Sequence, residues 1–198
     1  MTNTSAFVSH GIAQAQRALS AVATMTNAHL NPSTLKRTLA QRARAELARL
    51  EIIIRRLLVL MALGLVLPPV TIRASSGHHS DTEPVETKAS GHLLGLSPRI
   101  LGPGMVGDGL ATATRACGPV PAAPILARLA ALQELLAAPE AHARRLARTL
   151  ERQRKAGEAA PMALPMHRTH RMPPELGAIA TALPELLRHA FKSWETSG

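Results

Sequence analysis

The chain has 198 residues and a formal net charge of +10 at pH 7, from 23 Lys and Arg against 13 Asp and Glu. Hydrophobic residues make up 46% of it, yet it contains two Phe, one Trp and no Tyr. Because aromatic rings supply much of the buried area of a large core, this composition argues against one large, densely packed domain. The single cysteine, Cys117, excludes an intrachain disulfide and a cysteine-based zinc site.

The composition predicts an all-α protein. Ala, Leu and Arg are strong helix formers, whereas the runs of Val, Ile, Thr and aromatic residues that mark strands are nearly absent. We expect one long N-terminal helix, a C-terminal helical hairpin and a short terminal helix, joined by long disordered or irregular linkers. The predicted regions are an N-terminal helical region (1–70), a linker rich in Gly, Pro and His (71–121), and a C-terminal helical region (122–198).

Two helices are predicted in the N-terminal region. A weakly amphipathic pattern over 11–28 indicates the first. Asn31 followed by Pro32 matches a helix N-cap with proline at the first helical position, so we expect the second helix to begin there. Apolar residues then recur at three- and four-residue steps, which predicts a helix over 32–67 that is about 50 Å long.

This second helix runs into an unbroken apolar stretch, Leu57 to Val70. The stretch is shorter than the roughly 20 residues that a membrane-spanning helix needs, and two prolines near its end shorten the helical part further. We therefore favour a buried helix end. Attachment to a membrane through residues 52–72 is the alternative, with the N-terminus in the cytoplasm because arginines are concentrated on that side. The candidate apolar or membrane residues are Leu57, Leu58, Leu60, Leu63, Leu65 and Leu67.

Three further helices are predicted toward the C-terminus. Leucine periodicity indicates one over 123–137. A second, over 139–156, begins with a proline and stops at Gly157. After a Pro-rich link, a third amphipathic segment over 175–195 is expected to be interrupted by Pro184.

The helix over 139–156 carries the densest basic run of the chain. A solvated helix face is the interpretation that we favour for this run. The alternative is an interface with nucleic acid or another anionic surface, although no interleaved aromatic residues offer base stacking. The candidate residues for an anionic partner are Arg144, Arg145, Arg148, Arg152, Arg154 and Lys155.

The terminal segment places its large apolar residues on one face. Such a face either closes the core of its own chain, which we favour, or docks into the groove of a partner protein. The candidate docking residues are Leu186, Leu187, Phe191 and Trp194.

No catalytic, cofactor-binding or metal-binding residues are predicted. The glycines from Gly102 to Gly107 have the spacing of a dinucleotide-binding loop. However, only Arg99 to Leu101 could form the preceding strand, Pro103 lacks an amide donor, and no acidic residue lies near Ala127, where this chemistry requires one. Histidines and acids between His78 and His92, and the pair His167 and His170, fall in predicted loops, which favours solvated side chains over a metal site. Cys117 has no neighbouring base that would make it a nucleophile.

These observations predict a non-enzymatic adaptor or regulatory protein that binds a protein partner through helical faces and a basic surface, without a cofactor or small-molecule substrate. An anionic lipid or nucleic acid is the other kind of partner that the charge suits. The alternatives are a membrane-attached protein held by residues 52–72 and a nucleic-acid-binding protein that uses residues 144–155. The bias towards Ala, Arg, Leu and Pro is typical of a high-GC bacterial genome, and Met1 to His10 lack the features of a signal peptide. We therefore expect a bacterial cytoplasmic protein, with the inner membrane as the place of any attachment.

Overall fold

The structure is a computed structural model that describes residues 2–65, 118–166 and 169–195. Within these ranges the chain forms five α-helices, joined by two short 3-10 turns and one two-stranded antiparallel pair, so the all-α prediction is confirmed. The helices are α1 (Thr2–Met25), α2 (Arg37–Leu63), α3 (Ala123–Ala137), α4 (Pro139–Lys155) and α5 (Pro174–Glu195).

Helix α2 lies at the centre of the described fold. Helices α1, α3, α4 and α5 all pack against it. Most of its C-terminal half is buried, and each residue from Leu57 to Leu60 is at most 4% exposed. A helix that is apolar all round belongs in a core. The first four residues of the apolar stretch, Leu57 to Leu60, therefore lie in the buried part of a core helix.

Helix α1 packs closely against α2. Its buried residues are mostly small or branched and recur every three or four positions, as in Ala15, Leu19 and Val22. A Cβ atom at Gly11 would lie 2.6 Å from Leu57 Cδ2. Glycine at this position therefore allows the two helices to approach each other.

The connection between α1 and α2 differs from the prediction, because α2 begins at Arg37 and not at Pro32. Asn31 adopts the left-handed conformation, with φ 45° and ψ 55°, and caps the 3-10 turn that follows α1. Thr34–Leu35 (β1) then pairs antiparallel with Val120–Pro121 (β2). This pairing holds the chain extended, and its partner is distant in sequence, so the local capping pattern gave no indication of it.

Of the other helix ends, that of α4 matches the prediction closely, whereas the end of α2 and the start of α1 differ from it. Helix α4 ends at Lys155, and Gly157 has a φ of 70°, as expected for a glycine that terminates a helix. Helix α2 ends at Leu63, earlier than predicted, with Gly64 as its C-cap. Helix α1 begins at Thr2, well before the predicted residue 11.

The prediction that Pro184 interrupts the last helix is wrong. Helix α5 continues through it from Pro174 to Glu195. Proline lacks the N–H that would bond to the carbonyl of Ala180. Ala180, Leu183 and Leu187 are all fully buried in the core, so packing on both sides of Pro184 holds the helix together across the missing bond.

Candidate functional site

Helix α4 has two faces of opposite character. Its apolar residues, among them Leu146 and Leu150, are buried where α4 packs against α2. Most of its cations recur at three- and four-residue steps on the opposite face and are exposed, over a length of about 16 Å. We call this face the cationic stripe, and its members are Arg144, Arg145, Arg148, Arg152 and Lys155.

Two members of the cationic stripe form ion pairs within α4. Arg144 Nη2 lies 3.3 Å from Glu140 Oε2, and Lys155 Nζ lies 2.8 Å from Glu151 Oε1. All four side chains are exposed, and such pairs contribute little to stability. The fold therefore depends little on these cations.

The other three members of the stripe, Arg145, Arg148 and Arg152, form no ion pair with any residue that the structure describes. Arg152 donates to the hydroxyl of Thr149 at 3.3 Å. With six cations against two acids, α4 has a net formal charge of +4. This charge faces solvent, where an anionic partner can reach it.

The sixth candidate cation, Arg154, lies apart from the stripe. It follows Leu150 by four residues and therefore lies on the core side of α4, near the helix end. There it lines a groove of about 1090 Å³, which opens where α1 begins and α2, α4 and α5 end. We call this space the end groove.

The floor of the end groove is apolar. Leu60 and Val8 are buried beneath it, whereas Met61, Leu63 and Leu65 are half-buried. Those half-buried side chains keep part of their apolar surface open to the groove. The floor thus offers a place for a hydrocarbon group.

The rim of the end groove is cationic on the side of α4 and α5. Arg154, Lys155 and His189 line it, and among the described residues of the lining Glu151 is the acidic one. The hydrogen bond from Lys155 lowers the pKa of Glu151, so this carboxylate remains ionised beside the ammonium. On the opposite side, hydroxyl groups of α1 such as that of Ser9 complete the rim.

The candidate docking residues of the terminal segment lie mostly within the fold. Leu187 and Phe191 are buried, and Leu186 and Trp194 are half-buried. The rings of Phe191 and Trp194 meet edge to face, with 5.9 Å between their centroids. The indole N–H of Trp194 donates to the carbonyl of Glu158 at 3.0 Å. This face therefore packs against its own chain.

The candidate membrane residues divide into two groups. Leu57, Leu58 and Leu60 are buried in the core, and Leu63 and Leu65 line the end groove. Leu67 lies outside the described residues, as does the rest of the candidate segment from 66 to 72. No helix in the described part of the chain is both long and apolar enough to cross a membrane.

A buried ion pair network, which was not predicted from the sequence, joins α2 and α3. Glu51 is 7% exposed and accepts hydrogen bonds from Arg55 Nη2 and Arg128 Nε, each at 3.1 Å. The four-residue spacing of Glu51 and Arg55 was a visible indication of their pairing. The contact with Arg128 depends on tertiary packing and had no local indication.

A second buried charge lies on α2. Arg56 is 0% exposed and donates through Nη2 to the carbonyl of Leu164, in the link between α4 and α5. Its burial lowers the pKa of Arg56 to about 10, so the guanidinium stays charged at neutral pH. Arg56 fixes the link to the core and faces no open surface, which indicates a structural role.

Several motifs considered in the sequence lie outside the described residues. These are the glycines from Gly102 to Gly107, the histidines between His78 and His92, Cys117 and His167. Their predictions remain untested. His170 is exposed, and no group of three or more His, Cys, Asp or Glu side chains suited to a metal ion occurs in the described ranges.

The described surface therefore offers two kinds of contact. The cationic stripe suits carboxylates or phosphates, and the end groove combines an apolar floor with a cationic rim. Comparison of the chain with protein-family models, curated proteins and solved structures found no match.

Proposed function

We propose that this protein is a non-enzymatic adaptor or regulator whose cationic stripe binds an acidic surface of a partner protein. The supporting observation is the position of the stripe, which lies opposite the face that α4 buries against α2. Cations that the fold needs are largely removed from solvent, as Arg56 and Arg55 are. The members of the stripe are exposed and at most weakly engaged.

Arginine is the residue type that suits this role best. Four of the five members of the stripe are arginines, and a planar guanidinium donates two parallel hydrogen bonds to one carboxylate. A rigid helix also holds these side chains at fixed intervals. An acidic helix or strand of a partner protein would then contact several guanidinium groups at once.

A nucleic-acid partner is the second candidate, and two observations favour a protein over it. Helices α3 and α4 are joined through Ala138 alone, whereas a DNA-binding helix-turn-helix has a turn of about three or four residues. Helix α4 also carries no Phe, Tyr or Trp on which a base would stack. If the partner were a nucleic acid, the cationic stripe would contact its phosphates and would not recognise a base sequence.

Attachment to a membrane by residues 52–72 receives less support. Insertion would require the buried leucines from Leu57 to Leu60 to leave the core that they share with four other helices. Recovery of the whole protein from membranes in a carbonate wash would dispose of a spanning segment.

Photo-crosslinking in cells tests the proposed function. A photoreactive residue replaces Ala141, which is exposed on α4 one turn before the stripe, so every cation is kept. We expect a defined protein adduct that falls about tenfold when Arg145 and Arg148 become Gln, because two carboxylate contacts are lost. The matched control is Arg42→Gln with Arg44→Gln, the same charge change at exposed positions of α2, and it should keep the adduct.

Two outcomes would contradict the proposed function. Equal loss of the adduct in both double variants would show that net charge alone governs association. Adducts that disappear on nuclease treatment, together with duplex DNA binding that weakens steeply as salt rises, would replace the protein partner by nucleic acid.

A further inference from the structure

We propose that the partner element bound by the cationic stripe is an α-helix whose glutamates follow the same steps of three and four residues as the arginines of α4. This inference rests on the proposed function and names the kind of surface that the stripe recognises. It is carried by the spacing of three exposed arginines and by the positions of the acids on α4.

Three arginines of the stripe form a row along α4. We call Arg145, Arg148 and Arg152 the arginine row, and the exposed Ala141 continues it toward the start of the helix. The steps along this line are four, three and four residues. Alternating steps of three and four are the pattern of the seam along which two helices pack side by side. In most seams these positions are apolar, whereas here they are cationic and exposed, so a partner helix must bring carboxylates to them.

The distances along α4 favour a helix over a strand as the partner element. At 1.5 Å per residue, Arg148 and Arg152 follow Arg145 by about 4.5 Å and about 10.5 Å along the helix axis. Glutamates three and seven residues apart on a partner helix repeat these distances. Carboxylates on alternate residues of a strand lie about 6.7 Å apart, so they miss the second and third arginines by about 2–3 Å. A helix therefore fits the paired hydrogen bonds between guanidinium and carboxylate better than a strand does.

Helix α4 holds the arginine row in a fixed arrangement. The helix runs from Pro139 to Lys155 without a glycine, and its one proline is the first residue, so nothing within it causes a kink. On the opposite face, Leu146 and Leu150 are buried in the core. Because the backbone beneath the arginines is already ordered, binding of a partner helix loses less conformational entropy there.

The acids of α4 leave one edge of the cationic stripe open to a partner helix. Glu140 pairs with Arg144 and Glu151 pairs with Lys155, and these four residues lie along the same edge. At the other edge lies Thr149, which accepts a hydrogen bond from Arg152. An acidic helix is therefore repelled at the first edge, whereas at the second edge α4 presents no carboxylate. The arginine row borders this second edge.

Synthetic helices test the partner element. The striped peptide has about 18 residues of alanine and glutamine, with four glutamates in steps of three, four and three, so that it matches the arginine row in either direction. The redistributed peptide has the same composition, with its glutamates in steps of five and therefore all around the helix. Fluorescence anisotropy with the full-length protein should show saturable binding that is about tenfold tighter for the striped peptide, because only this peptide brings its carboxylates to the row together. Circular dichroism should show both peptides to be helical.

A third peptide separates the helix from its charge. The striped peptide with a proline at its centre keeps every glutamate but loses the continuous helix. We expect it to bind about tenfold more weakly than the striped peptide, because its carboxylates no longer lie in one row.

Variants locate the peptide on the arginine row. Arg145→Gln with Arg148→Gln should weaken binding of the striped peptide about tenfold, since two carboxylate contacts are lost. The matched control, Arg42→Gln with Arg44→Gln, makes the same charge change at exposed positions of α2 and should bind this peptide as the native chain does. Far-UV circular dichroism should show that both variants keep the fold, because all four side chains are exposed.

Several results would overturn the helical partner. They are the absence of saturable binding of the striped peptide, equal binding of the redistributed peptide, equal or tighter binding of the proline peptide, and equal weakening by the control variant. A native dimer that becomes a monomer in the Arg145 and Arg148 variant would instead make the occupant a second copy of this chain. Tighter binding of a DNA duplex than of the striped peptide would make it a nucleic acid.

Failure of this inference is distinguishable from failure of the proposed function. If both peptides bind equally and both weaken in the Arg145 and Arg148 variant, the stripe binds acidic proteins without selecting a helix, and the proposed function stands. Failure of the proposed function appears in the photo-crosslinking experiment, as an adduct that both double variants lose equally or that nuclease removes.

Discussion

Arg56 is a buried cation whose pKa lies below its ordinary value. Burial lowers this pKa to about 10, so above about pH 10 the unfolded chain, in which the pKa keeps its higher ordinary value, binds more protons than the folded chain. Stability therefore rises with pH in that window, whereas below it the cost of burying the charge is constant. The free energy of unfolding of the native chain, minus that of Arg56→Met, should therefore increase by about 1 kcal/mol between pH 9 and pH 11.

Urea denaturation at a series of pH values measures this difference. Arg148→Met is the matched control, because Arg148 is exposed and its removal should leave the pH dependence as it is in the native chain. Parallel curves for the native chain and Arg56→Met up to pH 11 would show that the folded pKa of Arg56 is not lowered.

The sequence predicted the apolar residues of the core but not the charged residues that are buried with them. Periodicity identifies apolar positions, and the burial of Leu47, Leu50 and Leu57 follows from it. Glu51 and Arg56 are charged residues among these apolar positions of α2. They are buried because Arg128 donates a hydrogen bond to Glu51, and Arg56 donates one to the carbonyl of Leu164. Those partners come from distant parts of the chain, so the local pattern contains no information about them.

At the scale of the elements, α5 contains a proline that the helix accommodates at a cost. Pro184 removes one intrahelical hydrogen bond, and an interior proline disfavours a helix by about 3 kcal/mol relative to alanine. Pro184 is itself buried, so Pro184→Ala also loses packing of the ring. We expect a net gain of about 1 kcal/mol in the free energy of unfolding, measured by urea denaturation.

The same substitution at the start of α5 provides the control. Pro174 is the first residue of the helix, where no intrahelical N–H bond is required, so Pro174→Ala should change stability by less than about 0.5 kcal/mol. Destabilisation by Pro184→Ala would mean that the packing of the ring outweighs the missing hydrogen bond.

Helix boundaries show how far local chemistry determines an element. The predicted range of α3 matches the structure, and α4 ends where Gly157 supplies a left-handed residue, since prolines and glycines act on their immediate neighbours. The start of α2 was wrong because β1 pairs with β2 across most of the chain. The cationic stripe was visible from spacing alone. The end groove was not, because the ends of four helices form it.

At the scale of the whole molecule, the helices before residue 66 and those after residue 117 share one hydrophobic core. Leu57 of α2 is fully buried in it, while Trp194 lies near the end of α5. If the core unfolds as one unit, Leu57→Ala should lower stability by about 2–5 kcal/mol for both regions together. Fluorescence of Trp194 and far-UV circular dichroism should then report the same shifted midpoint.

The control for this last prediction is the same substitution at the surface. Leu30 is 69% exposed, so Leu30→Ala should change the midpoint little by either measurement. Two independently folding regions would give a different result for Leu57→Ala, because the transition seen by Trp194 would stay in place while part of the circular dichroism signal moved. A common shift means that any ligand or partner that binds one region of this core stabilises the other region as well, since both unfold in the same transition.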